Sequence, residues 1–121
     1  MDIDMESIRE IDDDNGTVYY YNKENQFHRT DGPAVEYADG RKQWRINDKL
    51  HRENGPAVEY PGGSKWWYIN DKRHREDGPA IERFDGSKYW YFNDKEVDDK
   101  DTHLFTGKPE DIVILRLKYG Y

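Results

Sequence analysis

A repeat of 23 residues constrains this chain more than any other feature of its sequence. Three consecutive units begin at His28, His51 and His74, and 12 of the 23 positions are identical in all three units. A shortened unit, residues 16–22, precedes them. Because a unit this short cannot bury a core of its own, the repeat predicts an array in which each unit packs against its neighbours.

Each unit carries the pattern of short strands joined by tight turns. In the first unit, residues 34–37 alternate small or apolar side chains with an acid, and residues 43–46 suit a second short strand. Asp39-Gly40 lies between them and predicts a hairpin turn, because Gly adopts positive φ without steric cost. Asn47-Asp48 predicts a second turn. Since residues 17–95 show no helical period, we expect a mainly all-β fold built as an array of antiparallel β-hairpin repeats.

Aromatic side chains supply the core that the composition otherwise lacks. Only 34% of the residues are hydrophobic and 37% are charged, but the chain contains 4 Trp, 10 Tyr and 4 Phe. Each ring buries about 150–250 Å², which is enough for a thin core. Strand alternation divides the units into two faces. The face that is nearly constant among the units, which we expect to be the packing layer, carries Trp44, Trp67 and Trp90 with Ile46, Ile69 and Phe92.

The repeated motif is His-Arg-x-(Asp/Asn)-Gly-Pro-Ala, followed by Asp-Gly, Trp and Asn-Asp-Lys. It resembles the MORN-like repeat variants of phages, giant viruses and bacteria, and the resemblance covers residues 16–97. The resemblance implies an extended hairpin array with a binding or scaffolding role, and it names no particular ligand. Since similar repeats are common in phages, it also implies a viral inhibitor that binds and occludes a host protein, such as a defence protein.

The segments that flank the array are expected to cap it. Residues 1–15 are acidic, and Met1, Met5, Ile8 and Ile11 there predict one side of a short helix. Residues 98–121 form the second cap, with a helical turn near its start for which Asp98 is a possible N-cap.

The second half of that C-terminal cap has two interpretations. Pro109 followed by two acids is typical of a helix start. The alternation of apolar and other residues over 113–119 instead has the period of a strand, so both forms stay open.

Composition excludes several classes of protein. The absence of Cys excludes disulfide scaffolds, Cys-ligated metals and Cys nucleophiles. No apolar run reaches the roughly 18–20 residues of a membrane span, and the acidic N-terminus lacks the basic and apolar blocks of a signal peptide. A net charge of −7 disfavours nucleic acid and anionic lipid as partners. We therefore expect a cytoplasmic protein, in the host cytoplasm if it is viral.

The recurring His and Glu residues invite catalytic and metal-site interpretations. Equivalent residues of successive hairpins should lie about 9–15 Å apart at a strand spacing of ~4.8 Å, which is too far for His28, His51 and His74 to share one metal ion. We expect each His-Arg pair to tie its Gly-Pro turn to the next strand. The equivalent glutamates Glu36, Glu59 and Glu82 have identical surroundings, whereas a catalytic pair needs two different ones. We therefore expect these glutamates to pair with Arg29, Arg52 and Arg75 or with neighbouring lysines, and we expect no enzyme, cofactor or metal site.

Function is instead expected on the face that varies between units, because Tyr, Trp and Arg dominate protein interfaces. The candidate partner-binding residues are Tyr20, Gln43, Arg45, Trp66, Tyr68, Tyr89 and Tyr91. A second candidate contact is the acidic N-terminal segment, with Asp2, Asp4, Glu6, Glu10, Asp12, Asp13 and Asp14. The sequence leaves open whether the aromatic face is free or covered by the caps.

Two other functions remain as alternatives to a host-protein partner. One is sequestration of a nucleotide-like anion by ring stacking and by the arginines Arg29, Arg45, Arg52, Arg75 and Arg83. The other is a structural scaffold that forms homo-oligomers through the edges of its sheet.

Overall fold

A computed structural model describes residues 7–120 of the chain. Within that range the fold is mainly β, and it ends in a 3₁₀-helix, Asp99–Leu104, and an α-helix, α1 (Pro109–Tyr119). None of the helices in this range has the length and apolar character that crossing a bilayer requires.

Fourteen short strands occur in the described residues. They are β1 (Ile8–Ile11), β2 (Val18–Tyr21), β3 (Val35–Glu36), β4 (Lys42–Gln43), β5 (Arg45–Ile46), β6 (Lys49–Leu50), β7 (Val58–Glu59), β8 (Lys65–Trp66), β9 (Tyr68–Ile69), β10 (Lys72–Arg73), β11 (Ile81–Glu82), β12 (Lys88–Tyr89), β13 (Tyr91–Phe92) and β14 (Lys95–Glu96). Eight form one antiparallel sheet in the order β1-β2-β3-β4-β7-β8-β11-β12. The others pair as ribbons, β5 with β6, β9 with β10 and β13 with β14. The predicted all-β array of hairpins is confirmed.

Each full unit contributes one hairpin to the sheet and one ribbon beside it. In the first unit, Gly40 ends the sheet hairpin's turn at φ +99°. The ribbon turns at Asn47 and Asp48, whose φ angles of 48° and 75° are those of a two-residue type I′ turn. The same pair of positive φ values recurs at Asn70-Asp71 and Asn93-Asp94. Trp44 stands between β4 and β5, where the chain leaves the sheet for the ribbon.

A fully buried alanine joins each unit to the one before it. The Trp44 amide donates to the Ala57 carbonyl at 2.7 Å, and the Ala57 amide donates to the Trp66 carbonyl at 2.8 Å. Ala57 and its equivalents Ala34 and Ala80 have no exposed surface. Neighbouring backbone segments hydrogen-bond to this alanine on both sides. The position therefore holds the smallest apolar side chain.

The Asn-Asp turn of each ribbon fastens that unit to the preceding one. The Asp71 amide donates to the Leu50 carbonyl at 2.8 Å, while the Leu50 amide donates to the Asp71 Oδ1 atom at 2.7 Å. Beside them, the Asn70 amide donates to the His51 Nδ1 atom at 3.1 Å. The repeated His therefore has a structural role, as expected, although it contacts the Asn-Asp turn of its own unit.

The N-terminal segment is a strand where the sequence predicts a helix. Ile8 and Ile11 belong to β1, which pairs antiparallel with β2, and both side chains are half exposed. The helix prediction for these residues is wrong because the open edge of β2 offers backbone hydrogen bonds that an isolated turn of helix cannot match. Met1 and Met5 lie outside the described residues.

The C-terminal segment is helical and encloses a cluster of buried apolar side chains. Phe92, Val97, Leu104, Phe105 and Leu115 form this cluster, with Trp90 and Tyr119 packed against it. In a helix the Cβ atoms of Leu115 and Tyr119, at positions i and i+4, lie about 5–6 Å apart, whereas in a strand the two residues would share a face but lie about 13 Å apart. Asp98 precedes the 3₁₀-helix at the N-cap position, but its side chain makes no capping hydrogen bond, so the predicted cap is wrong.

Candidate binding face

Two rows of side chains run across the sheet, because residues directly opposite each other in antiparallel strands share a face. From β2 to β12, the register places in one row Tyr19, Val35, Gln43, Val58, Trp66, Ile81 and Tyr89. On the other face, the same strands place in a charged row Val18, Glu36, Lys42, Glu59, Lys65, Glu82 and Lys88.

In the first row, buried aliphatic side chains alternate with larger side chains. Val35, Val58 and Ile81 are 1%, 7% and 6% exposed. Between them lie Tyr19, Gln43, Trp66 and Tyr89, of which Tyr89 is 39% exposed and the others are half-buried. The row thus combines a fixed apolar floor with residues that change from one unit to the next.

A second line of large side chains lies two residues further along the chain, where each ribbon begins. The rings of Trp66 and Tyr68 lie 6.4 Å apart and are nearly parallel. The Arg45 Nε atom donates to Gln43 Oε1 at 2.9 Å, which joins the two lines in the first unit. In the last unit, the Arg73 guanidinium lies 4.2 Å above the ring of Tyr91. We call the set Tyr19, Gln43, Arg45, Trp66, Tyr68, Tyr89 and Tyr91 the aromatic face.

Tyr20, which the sequence assigns to this face, lies on the opposite one. It follows Tyr19 in a strand, so its side chain points the other way. Its amide donates to the Ala34 carbonyl at 2.8 Å, as the Trp44 amide does to Ala57, and the Arg29 guanidinium lies 3.9 Å above its ring. Tyr20 is therefore the counterpart of the packing tryptophans.

Three rings at the N-terminal end of the aromatic face were not among the candidates predicted from the sequence. Tyr19, Tyr21 and Phe27 stack on one another, with centroids 5.3–6.2 Å apart. The turn glycine is the sequence feature that identifies Tyr19, because Tyr19 stands three residues after Gly16 just as Gln43 stands three after Gly40.

The hydroxyl groups of Tyr68 and Tyr21 stay uncharged at neutral pH. Burial raises the pKa of Tyr68, and it also raises the pKa of Tyr21, with the nearby Glu10 carboxylate adding to the second shift. The aromatic face therefore combines its rings with a neutral hydroxyl at Tyr68 and a cation at Arg45.

On the charged face, the arginine of each His-Arg pair is held by several groups at once. Arg52 lies 3.8 Å above the Trp44 ring, and its Nη1 atom is 3.0 Å from the Pro56 carbonyl and 3.3 Å from Glu59 Oε2. Arg29 and Arg75 pair in the same way with Glu36 and Glu82, so the predicted Arg–Glu pairing is confirmed. Each of these arginines already has its own carboxylate.

The acidic N-terminal candidates fall into three places. Asp12, Asp13 and Asp14 belong to the turn between β1 and β2, where the Asp12 Oδ1 atom accepts a hydrogen bond from the Asp14 amide at 2.9 Å. Glu10 is exposed and lies opposite Tyr19. Asp2, Asp4 and Glu6 lie outside the described residues.

A cleft of about 840 Å³ separates the His-Arg loops of two adjacent units. Arg52 and Pro56 line it on one side, and Trp67, His74 and Arg75 line it on the other. Side chains of both charge signs border it, and within residues 7–120 no three His, Asp or Glu side chains are grouped so as to hold a metal ion.

Comparison with models of protein families, with curated proteins and with solved structures finds no match to this chain.

Proposed function

We propose that this protein is a non-enzymatic interaction module that binds another protein through the aromatic face. The observation that carries the proposal is the row in which Gln43, Trp66 and Tyr89 occupy equivalent positions on a repeated floor of buried aliphatic side chains. A packing layer needs the same residue at equivalent positions, as the invariant tryptophans show. A recognition surface needs different residues there, held in a fixed geometry.

The chemistry of the face suits a protein partner. Rings with few rotatable bonds supply contact area at low entropic cost, and Tyr, Trp and Arg are the residues that most often dominate binding energy. Seven strands at ~4.8 Å spacing give the face a length of about 29 Å, which matches one side of an ordinary protein interface.

A finer version of the proposal is an inhibitor. The MORN-like motif supports a viral protein that acts in the host cytoplasm by occluding a host protein, with a defence protein as the concrete case. In that version the exposed acids near Glu10 steer the complex toward a basic patch, because complementary charge raises the rate of encounter.

The anion-sequestering alternative has less support from the geometry. Arg29, Arg52 and Arg75 each contact a ring, a carboxylate and a backbone carbonyl, so an incoming anion would have to displace an existing partner. The scaffold alternative predicts self-association that does not depend on the aromatic face.

Capture from extracts of the cells in which the protein is naturally made tests the proposal. The wild type is compared with the double variant Trp66→Gln/Tyr89→Gln, read by native mass spectrometry. Gln is chosen because the first unit already holds it at the equivalent position, Gln43, so the fold accepts it. We expect a stoichiometric protein partner with the wild type that is lost with the double variant.

The matched control changes the opposite face of the same sheet. Lys42→Ala/Lys65→Ala alters the charged row and should capture the partner as well as the wild type does. Equal loss in this control, or a bare chain in all samples, contradicts the proposal. A bound mass of a few hundred daltons without a protein would support the sequestering alternative instead.

A further inference from the structure

Within the sheet, three strands have the edge that faces the next unit covered in the same way, and we call these the internal edges. The outer edge of β2 is covered by β3, that of β4 by β7, and that of β8 by β11. Each covering strand has Ala before a β-branched aliphatic residue and Glu after it, namely Ala34-Val-Glu36, Ala57-Val-Glu59 and Ala80-Ile-Glu82.

The contacts at these internal edges repeat from unit to unit. On β4, Lys42 lies opposite Glu59 and Gln43 lies opposite Val58. On β8, Lys65 lies opposite Glu82 and Trp66 opposite Ile81. The Trp that follows each of these strands donates its amide to the alanine carbonyl of the covering strand, Trp44 to Ala57 and Trp67 to Ala80, both at 2.7 Å.

β12 is the fourth strand of this kind, and within residues 7–120 no strand covers its outer edge. Lys88 and Tyr89 are both exposed, whereas Gln43 and Trp66, the counterparts of Tyr89, are half-buried. Among the described residues no backbone oxygen accepts a hydrogen bond from the Trp90 amide. The C-terminal cluster packs against the Trp90 side chain and the ribbon beside it.

We propose that the outer edge of β12 is a strand-addition site for an extended segment of a partner protein that carries Ala-(Val or Ile)-Glu. The segment pairs antiparallel with β12, its Glu opposite Lys88 and its aliphatic residue opposite Tyr89. Its alanine carbonyl accepts from the Trp90 amide. Main-chain hydrogen bonds give affinity in such strand addition, and the alternate side chains give selectivity.

Charge complementarity favours a partner segment over a second copy of this chain. Continuing the register of the sheet, β1 of another copy would place Ile11 opposite Lys88 and Glu10 opposite Tyr89. An acid would then lie on the aromatic row and an isoleucine on the charged row. The internal covering strands show the reverse arrangement, which matches both faces.

Titration of the full chain with a synthetic decapeptide of the sequence of residues 51–60 tests the site. This segment contains Ala57-Val-Glu59, the natural covering strand of β4. In ¹⁵N NMR spectra we expect saturable shifts of the Lys88, Tyr89 and Trp90 amides, and slower hydrogen exchange of the Trp90 amide. The Lys42 and Lys65 amides, on edges already covered, should not shift.

A charge swap checks the register. Lys88→Glu in the protein should weaken binding of the peptide about fivefold, since opposed charges across strands change from attraction to repulsion. A peptide with Lys in place of its Glu should bind the wild type weakly. It should bind the Lys88→Glu variant with the affinity that the original peptide has for the wild type.

Three outcomes overturn the inference. They are the absence of saturable shifts at β12, the same affinity for all four combinations of peptide and protein, and concentration-dependent shifts of Lys88 and Tyr89 in the protein alone, which would assign the edge to self-association.

The inference rests on the proposed interaction function and adds that the partner contributes an extended segment. The two proposals can nevertheless be refuted independently of each other. If the captured partner is lost with Trp66→Gln while the peptide leaves β12 unshifted, the edge site is wrong and the aromatic face stands. If the peptide binds in the predicted register while no partner depends on Trp66, the edge site stands and the aromatic face is wrong.

Discussion

At the scale of single residues, the His-Arg pair connects each unit to the preceding one. Arg52 bridges the Trp44 ring, the Pro56 carbonyl and the Glu59 carboxylate, and its guanidinium also fills the space above Gly55. A planar group with several fixed donors can make these contacts together, and a lysine ammonium cannot. The invariance of Arg and Gly among the three units follows from this one contact.

Arg52→Ala should lower the free energy of unfolding by about 2 kcal/mol, because it removes a cation–π contact and a charged hydrogen bond. Arg52→Lys should recover less than half of that loss. The matched control is Arg41→Ala, which removes another Arg above a ring, Tyr37, but at an exposed turn. It should cost less than about 1 kcal/mol. Urea unfolding followed by Trp fluorescence measures all three, and equal losses for Arg52→Ala and Arg41→Ala would contradict the assigned role.

Gly55→Ala should be destabilising only while Arg52 is present. A Cβ atom at Gly55 would lie 2.9 Å from the Arg52 Cζ atom and force the guanidinium away from its partners. We expect a cost of about 1 kcal/mol in the wild type and almost none in the Arg52→Ala background, which a double-mutant cycle measures. Gly62→Ala is the control, since nothing lies within 4 Å of its added Cβ. Additive effects of Gly55→Ala and Arg52→Ala would show that the close approach is not the reason for the glycine.

At the scale of elements, the C-terminal helix is held by a polar contact as well as by its apolar side. The Asp101 carboxylate accepts hydrogen bonds from the Tyr119 hydroxyl at 2.6 Å and from the Lys118 ammonium at 3.0 Å. Asp101 is only 5% exposed. These two bonds, first that of Tyr119 and then that of Lys118, lower the pKa of Asp101. They join the 3₁₀-helix to the end of α1.

A lowered pKa in the folded state has a defined effect on stability. The contribution of the Asp101 carboxylate is complete above its unfolded pKa of about 4, and it is lost as the pH falls toward the folded value. Asp101→Asn should therefore destabilise the protein at pH 7, and the difference from the wild type should shrink at pH 3. Urea unfolding at both pH values tests this, with Asp99→Asn, an exposed acid of the same 3₁₀-helix, as the control. An undiminished difference at pH 3 would contradict it.

At the scale of the whole molecule, stability should depend on the number and register of the units. Each unit contacts its neighbours through the same alanine and the same Asn-Asp turn. Deletion of residues 51–73 removes one period and leaves every remaining contact with its equivalent partner. We expect a folded chain that is less stable and whose urea m-value is lower by about a fifth, since the m-value scales with the surface exposed on unfolding.

Deletion of residues 51–72 is the matched control for register. It removes one residue fewer, so the following strands shift by one position and their two faces are exchanged. This variant should lose cooperative unfolding, which circular dichroism during urea titration detects. Similar unfolding curves for the two deletions would show that the register between units is not what maintains the array.

Much of the array could be predicted from the sequence because its determinants are local and recur three times. The turn at Asn47-Asp48 and the glycine at Gly40 restrict the backbone within a few residues, and the Arg52–Glu59 pairing follows from identical positions in each unit. Tyr20 was misplaced because the first unit is shortened and can be aligned with the others in two ways. The hydrogen bond of its amide to Ala34 and the Arg29 guanidinium above its ring show which alignment holds.

The sequence by itself determined the 23-residue period, the strands and turns of each unit and the Arg–Glu pairs, since these depend on neighbours that lie within one period. Only the tertiary structure decided what the ends of the array become. Residues 8–11 form a strand because β2 offers an open edge, and residues 109–119 form a helix whose Leu115 side chain enters the cluster with Phe92. These outcomes depend on the surface that the last unit at each end leaves uncovered, and a local pattern carries no information about that surface.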